Sequence, residues 1–333
     1  HTPLLPNGWG VFWVPLESMS PSASLQQGLV VASHGRHVWV ETADGQRLLC
    51  HPRSKKNLCV VGDQVQWLPS ADEGSIEAVR ERRNLFYRQD DIRTKSFAAN
   101  IDQILVLIAA QPEFSEHQLA RALIAAEAAG IHPVIALNKR DLVEPFSRAW
   151  QRLAPYRDMG YTVLACAIKP AQGEPGQVPA ELACALAGKR TLVLGPSGSG
   201  KSTLVNHLVP QAQAQTNAIS TALNSGKHTT TTTTLYWLDS TRTSAIIDSP
   251  GFQEFGLHHI NPMQLAQLMP DLKAHMDGCR FYNCSHLHEP GCAVRAAVQP
   301  DIYEEAADSP RKISVSRYAI YSNLFAELSQ PRY

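Results

Sequence analysis

Residues 195–202 read GPSGSGKS, which matches the pattern GxxxxGK[ST]. Such a run does one kind of chemistry. Its glycines let backbone N–H groups turn toward phosphate oxygens, Lys201 neutralises β/γ charge, and the Ser202 hydroxyl reaches Mg²⁺. The phosphate-holding set is Gly195, Pro196, Ser197, Gly198, Ser199, Gly200, Lys201, Ser202 and Thr203. TLVLG precedes the run and STLVNHLV follows it, which is the strand–loop–helix setting this chemistry needs.

A second run, NKRD, supplies Asn138, Lys139, Arg140 and Asp141 directly after the apolar stretch PVIALN. The Asp141 carboxylate offers two acceptors, which suit the N1–H and 2-amino donors of guanine. Adenine has no such pair and would leave a desolvated carboxylate unpaired. Alone, four residues read equally well as a helix cap; beside a phosphate loop they point to guanine. DSPG (248–251) completes the set, with Asp248 reaching Mg²⁺ through water and the Gly251 amide sensing a γ-phosphate. The expected ligands are GTP and GDP with Mg²⁺.

Between these runs lies GKHTTTTTTL (226–235). A polar homopolymer is usually a solvated loop. A nucleotide switch, however, needs a threonine here for Mg²⁺ and the γ-phosphate, so Thr229 or Thr230 is expected to join Ser202 on the metal. The later threonines suit the start of a strand, where β-branched residues are favoured. Ras-like enzymes orient the attacking water with a glutamine directly after DxxG. Here that position is Phe252, and Gln253 is one residue out of register. His228 is therefore the expected water-positioning residue, with Lys201 the second catalytic group. The bland alternative is a solvated loop histidine.

A separate constellation is Cys279-x₄-Cys284-x-His286-x₅-Cys292. Three thiolates and an imidazole this close predict one structural, tetrahedral Zn²⁺, with His288 an alternative ligand by spacing. The other four of the seven cysteines, Cys50, Cys59, Cys166 and Cys184, read as core or strand residues. An odd count with a local cluster argues for a reducing compartment, and the expected location is the cytoplasm.

Positioning these groups requires two textures of chain. From Gln27 to about Glu81 short alternating strands with a turn at Asp44-Gly45 predict a small closed barrel of OB type, although an SH3-like barrel would share that texture. From about Asn100 apolar strands alternate with helices, as in SEHQLARALIAAEAAG with Ser115 as N-cap and Gly130 as stop. That alternation predicts a parallel sheet covered by helices, with LYWLDSTRTSAIID adding an antiparallel strand at its edge. The predicted division is a flexible tail (1–24), an RNA-binding barrel (25–95), a nucleotide domain (96–275) and a zinc-binding helical domain (276–333).

The order of the motifs carries its own information. Ordinary GTPases run phosphate loop, switch I, DxxG, NKxD, whereas here NKRD comes first and DSPG last. The same sheet closes this way only in a circularly permuted phosphate-loop GTPase, an α/β fold. Composition excludes little: 30 basic and 30 acidic residues give no bulk attraction to nucleic acid or membrane. No apolar run approaches a membrane span, and neither a signal peptide nor membrane association is expected. Between Arg80 and Lys95, six basic residues against three acidic ones form a local positive stretch suited to RNA phosphates.

Barrel, permuted nucleotide domain and C-x₄-C-x-H-x₅-C together resemble the bacterial ribosome small subunit-dependent GTPase A family over about residues 25–330. NKRD, GPSGSGKST, GKHTTT and DSPGFQEFGL carry the resemblance. It implies a monomer that binds the small ribosomal subunit and its rRNA late in maturation, with hydrolysis stimulated by that subunit. One departure is ACAIK (165–169), where the family's guanine-contacting loop has a serine and this chain has none; backbone contacts from Ala167 would have to substitute. Two other classes fit parts of the sequence. A metabolic phosphate-loop kinase or ATPase is opposed by NKRD and DSPG, and a nucleotide-regulated RNA-binding module with incidental hydrolysis is not.

Overall fold

Alternation of apolar and polar residues produces five short strands, β1 (Gln26–His34), β2 (His37–Glu41), β3 (Arg47–Pro52), β4 (Gln64–Leu68) and β5 (Gly74–Val79). The computed structural model describes residues 24–34, 37–54, 58–70, 73–90, 93–169, 178–210, 212, 232–250, 252, 255–299 and 312–330. β1 pairs antiparallel with both β2 and β4, and β3 lies parallel to β5, so the order β1-β2-β3-β5-β4 closes on itself. That closure is the five-stranded OB arrangement and decides against an SH3-like barrel. Its inward positions, among them Val30, Val40, Cys50, Trp67 and Ile76, make a core of their own.

After the barrel comes a hairpin, β6 (Leu85–Gln89) with β7 (Thr94–Ala99), which forms its own two-stranded sheet. It docks against the chain that follows DSPG. Gln89 N–H donates to the Gly256 carbonyl at 3.1 Å, and His258 N–H donates to the Gln89 carbonyl at 3.0 Å. Phe86 and Phe97 close on Phe255, with ring centroids 5.5 and 5.8 Å away.

The next strand, β8 (Gln103–Ala109, QILVLIA), is buried at every position, as expected of a strand covered on both faces. Its period of two splits the core. Ile104, Val106 and Ile108 pack with helix α1 (Glu116–Ala128), while Leu105 and Leu107 face the opposite side. Ser115 caps α1 by accepting from Gln118 N–H at 3.3 Å, and Gly130 stops it at φ +63°. Strands β9 (His132–Asn138), β10 (Thr162–Ala165), β11 (Arg190–Leu194) and β13 (Ala245–Asp248) are parallel to β8, in the order β10-β9-β8-β11-β13.

β12 (Thr233–Trp237) runs antiparallel to β13, as expected, but it is not a free edge. Its outer side pairs with the barrel: Ala32 stands opposite Thr234 and Ser33 opposite Thr233. One eleven-stranded sheet therefore runs from β10 through the nucleotide-binding strands into the barrel. An unpaired edge is an aggregation template, and β1 removes it.

Beyond β13 the chain turns through short helical segments to a terminal helix, Val315–Leu328. Ile320, Leu324 and Leu328 join Leu265, Met269 and Leu272 in the large core. Arg317, on the same helix, makes a bidentate pair with Asp271 at 2.8 and 3.2 Å, with both side chains almost wholly buried. Arg121 of α1 pairs with Glu327, tying this helix to the nucleotide-binding layer. No helix among the described residues is long and apolar enough to cross a membrane.

Candidate functional site

The C-terminal ends of parallel strands are where α/β sheets bind ligands, and here four motifs arrive at that one edge. NKRD begins on the last residue of β9, ACAIK continues β10, the phosphate loop follows β11, and Asp248 ends β13. The first three border a cavity of about 550 Å³ lined by Asn138, Lys139, Asp141, Leu142, Lys169 and the phosphate loop, and Asp248 is tied to it through Lys201.

The loop itself follows from its glycines. Gly198 and Gly200 sit at φ +79° and +99°, the left-handed region that residues with a Cβ avoid. At Gly200 a Cβ would also strike the Asn138 amide. Helix α2 (Lys201–Leu208) starts directly after, so its unpaired N–H groups and positive dipole end face the cavity. Gly195, Pro196, Ser197, Gly198, Gly200, Lys201, Ser202 and Thr203 all line it. Ser199 does not; it is buried, and its carbonyl takes the Asn138 amide at 2.9 Å.

Asn138 is the hub of the site. Besides donating to Ser199, its Oδ1 accepts from Ile168 N–H at 3.1 Å. One buried side chain thus joins the phosphate loop, NKRD and ACAIK. Lys139 holds φ at +70°, rare for a non-glycine residue, and its ammonium donates to the Gln111 carbonyl. Arg140 contributes its backbone, donating to the Cys166 carbonyl at 2.9 Å, and its side chain does not line the cavity. Asp141 is exposed on the cavity wall, placed to meet a base rather than to brace the fold. Lys169 also lines the cavity and was not among the expected site residues. Its position directly after the serine-less ACAI was the available signal.

At the phosphate end, Lys201 and Asp248 form an ion pair. The pair brings the phosphate-loop cation and the DxxG carboxylate to one point. The Thr233 hydroxyl lies 3.0 Å from that of Ser249, and Thr234 stands opposite Asp248 in register. The later threonines of the run therefore do begin a strand. Thr229, Thr230, His228, Gly251 and Gln253 lie outside the described residues, whereas Phe252 is buried against Phe255.

The second site is the Cys/His cluster. Cys279, Cys284, His286 and Cys292 bring their ligand atoms within 4.8 Å of one another. A tetrahedral ion with Zn–S and Zn–N bonds of about 2.3 and 2.05 Å requires edges of about 3.8 Å between sulfurs and about 3.6 Å between sulfur and nitrogen. Cys279 and Cys292 are 3.9 Å apart, and each is 3.5 Å from His286 Nδ1. The four groups can hold such a metal. His288 is exposed and stands outside the cluster.

The loop carrying the cluster is braced from two sides. Glu289 accepts from Ser285 N–H at 2.8 Å, from its hydroxyl at 2.6 Å and from Leu287 N–H at 3.2 Å. Burial opposes ionisation of this carboxyl, but those hydrogen bonds outweigh it and hold Glu289 well below the usual carboxylate range. From the terminal helix, Tyr318 donates to the His286 carbonyl and Tyr321 to the Ser285 carbonyl, each at 2.7 Å. Of the remaining cysteines, Cys50 and Cys166 are buried, Cys59 is half-buried, and Cys184 is exposed on the helix Ala180–Leu186 rather than in a core. Burial pushes the Cys50 and Cys166 thiols up to about 11, as suits inert core groups.

The basic stretch 80–95 is partly committed elsewhere. Arg82 makes a bidentate pair with the fully buried Asp63 at 2.7 and 2.8 Å, and Arg83 pairs with Asp102 at 2.6 Å. These two arginines brace the junction between barrel and sheet, and the Arg83 side chain stays largely exposed there.

Comparison with known proteins agrees with this geometry. The RsgA GTPase family matches residues 79–258. The small ribosomal subunit biogenesis GTPase RsgA of Variovorax paradoxus (strain S110) is 66% identical over 309 residues, covering 93% of this chain and 94% of that protein. Its counterpart in Paraburkholderia xenovorans (strain LB400) is 49% identical over 321 residues, covering 95% and 98%. Among solved structures, the chain is similar to YloQ, a circularly permuted GTPase (TM-score 0.65, 26% identity, 93% of this chain and 98% of that one). It is also similar to YjeQ from Thermotoga maritima (TM-score 0.66, 29% identity, 93% and 100%).

Proposed function

The chain belongs to the RsgA GTPase family, hydrolases that act on GTP, and on that premise we propose that it serves late maturation of the small ribosomal subunit, which in turn stimulates its hydrolysis. The observation that carries this reading is the convergence of a guanine-selecting carboxylate, Asp141, and a phosphate-binding Lys201 on one cavity, with Asp248 paired to that lysine. A relative's name supplies the subunit; the geometry supports a nucleotide-gated binder.

In this reading Asp141 selects guanine, and residues 195–203 cradle the phosphates from the N-terminal end of α2. Ser202 with Thr229 or Thr230 would hold Mg²⁺, and Asp248 would reach it through water. When bound, that ion neutralises charge on the β- and γ-phosphates. Lys201 supplies fixed positive charge at the same place, the Gly251 amide senses the γ-phosphate, and His228 orients the attacking water.

The barrel would carry rRNA contacts, and its pairing to β12 supports a link to the nucleotide, since β12 begins where the threonine run ends. Zinc is the metal we assign to the Cys₃His cluster, where it would hold the C-terminal segment together. A reducing cytoplasm suits this assignment, because the three cysteine ligands must stay reduced to bind the metal.

Co-sedimentation with small subunits tests the gating. The protein should pellet with subunits in the presence of a non-hydrolysable GTP analogue and largely stay in the supernatant with GDP. Equal recovery under both nucleotides would contradict it.

A further inference from the structure

Thr232, Thr233 and Thr234, at the end of the threonine run, are all buried. Strand propensity alone would be met by valine, which has the same shape and no hydroxyl to desolvate. Two of these hydroxyls have partners far away in the chain. Thr232 Oγ1 lies 3.1 Å from His34 Nδ1 of barrel strand β1. Thr233 Oγ1 lies 3.0 Å from the Oγ of Ser249, the buried residue that follows Asp248.

Thr233 has a particular place in the sheet. β12 and β13 run antiparallel with Thr234 opposite Asp248, so the next pair outward is Thr233 with Ser249. The backbone register ends at Asp248, and the two hydroxyls carry the contact one residue further. On its other side Thr233 stands opposite Ser33 of β1. Its hydroxyl therefore reaches the DSPG segment from a strand that the barrel holds in place.

Asp248 sits just inside this junction, its side chain four-fifths buried and paired with Lys201. With the Ser202 hydroxyl directly after Lys201, the donors are oxygens of the kind that Mg²⁺ takes. Mg²⁺ demands near-ideal octahedral geometry, so the direction in which Asp248 leaves the sheet matters.

We propose that Thr233 is a positioning residue for Mg²⁺-dependent nucleotide binding: held against the barrel, its hydroxyl fixes Ser249 and thereby the point at which Asp248 leaves the sheet. The proposal rests on the reading of Asp248 as the carboxylate that reaches Mg²⁺. It predicts a loss confined to the Mg²⁺-dependent part of the affinity, because the cavity for base and phosphates is lined by other residues.

Titration of a non-hydrolysable GTP analogue with excess Mg²⁺, and again with a chelator in its place, tests it on the full chain. Thr233→Val keeps shape and strand preference but leaves the Ser249 hydroxyl buried without this partner. It should weaken the analogue about tenfold with Mg²⁺ and by no more than about twofold without it. Thr233→Ser restores a hydroxyl and should recover most of the affinity with Mg²⁺. Equal loss with and without Mg²⁺, no loss in either, or a Thr233→Ser as weak as Thr233→Val overturns the proposal. Asp248→Asn separates two kinds of failure. If Mg²⁺ strengthens binding in that variant as much as in the unaltered chain, the Asp248 reading falls and takes this proposal with it. If Asp248→Asn loses the Mg²⁺ effect and Thr233→Val keeps it, the Thr233 proposal falls alone.

Discussion

Asn138 donates its side-chain amide to the Ser199 carbonyl at 2.9 Å, so the guanine-reading segment and the phosphate loop are fastened to each other before any nucleotide arrives. Because Asn138 Oδ1 simultaneously accepts from Ile168 N–H, only one orientation of the amide satisfies both partners. Asn138→Ala would leave a buried carbonyl and a buried N–H unpaired, at about 1–3 kcal/mol each. The expected outcome is a lower melting temperature together with weaker binding of every guanine nucleotide. Asn138→Asp should fare no better, since a carboxylate cannot donate to Ser199; thermal melts and GDP titrations check both.

Asp141 is exposed and makes no brace in the fold, so its replacement should leave stability alone and change only base choice. Asp141→Asn exchanges an acceptor for a donor. GTP affinity should fall at least about a hundredfold, and xanthine nucleotides, which carry an acceptor in place of the 2-amino donor, should gain. Competition binding with GTP, XTP and ATP measures this directly.

Phosphate loop, NKRD and DSPG were legible in the sequence because each acts through neighbours within about four residues, and strand texture placed each at a strand end. Long-range pairings were not legible. Ala32 and Ser33 meet Thr234 and Thr233 across some 200 residues, and nothing in either segment marks a partner, so β12 read as an edge. Charge partners were not legible either: Asp63, which pairs with Arg82, becomes a buried partner only once the barrel closes. Spacing marked the four positions of the Cys₃His cluster, since they lie within fourteen residues. The tyrosines that brace them come from a helix about thirty residues on.

For the Cys₃His cluster, purified protein should contain one zinc per chain. Chelation should unfold the segment around residues 279–298, as seen by hydrogen exchange, while GDP binding survives. Tyr321→Phe removes one neutral hydrogen bond to the Ser285 carbonyl and should cost about 1 kcal/mol without loss of metal. Protein that holds no zinc after chelator-free purification would remove the assignment.

Phe252, buried against Phe255, takes the place of a water-orienting glutamine and leaves that role to another residue. A neutral imidazole can accept a hydrogen bond from water, and its ordinary pKa of about 6.5 keeps that form available at neutral pH. His228→Ala should therefore keep GTP and subunit binding but lose about two orders of magnitude or more of stimulated turnover. Gln253→Ala should change little. Parallel rate measurements on small subunits check the pair, and an unimpaired His228→Ala would return the histidine to a solvated loop.

In the proposed function the small subunit switches on a guanine-specific hydrolase. Phosphoryl transfer depends mainly on positioning and charge, so a partner that orders the site raises the rate steeply. Phosphate release from GTP and from ATP, with and without purified small subunits, measures it. The protein alone should turn GTP over slowly, small subunits should raise that rate about tenfold or more, and ATP should show no comparable turnover. Equal GTP turnover with and without subunits would contradict it and leave an RNA-binding module whose hydrolysis is incidental.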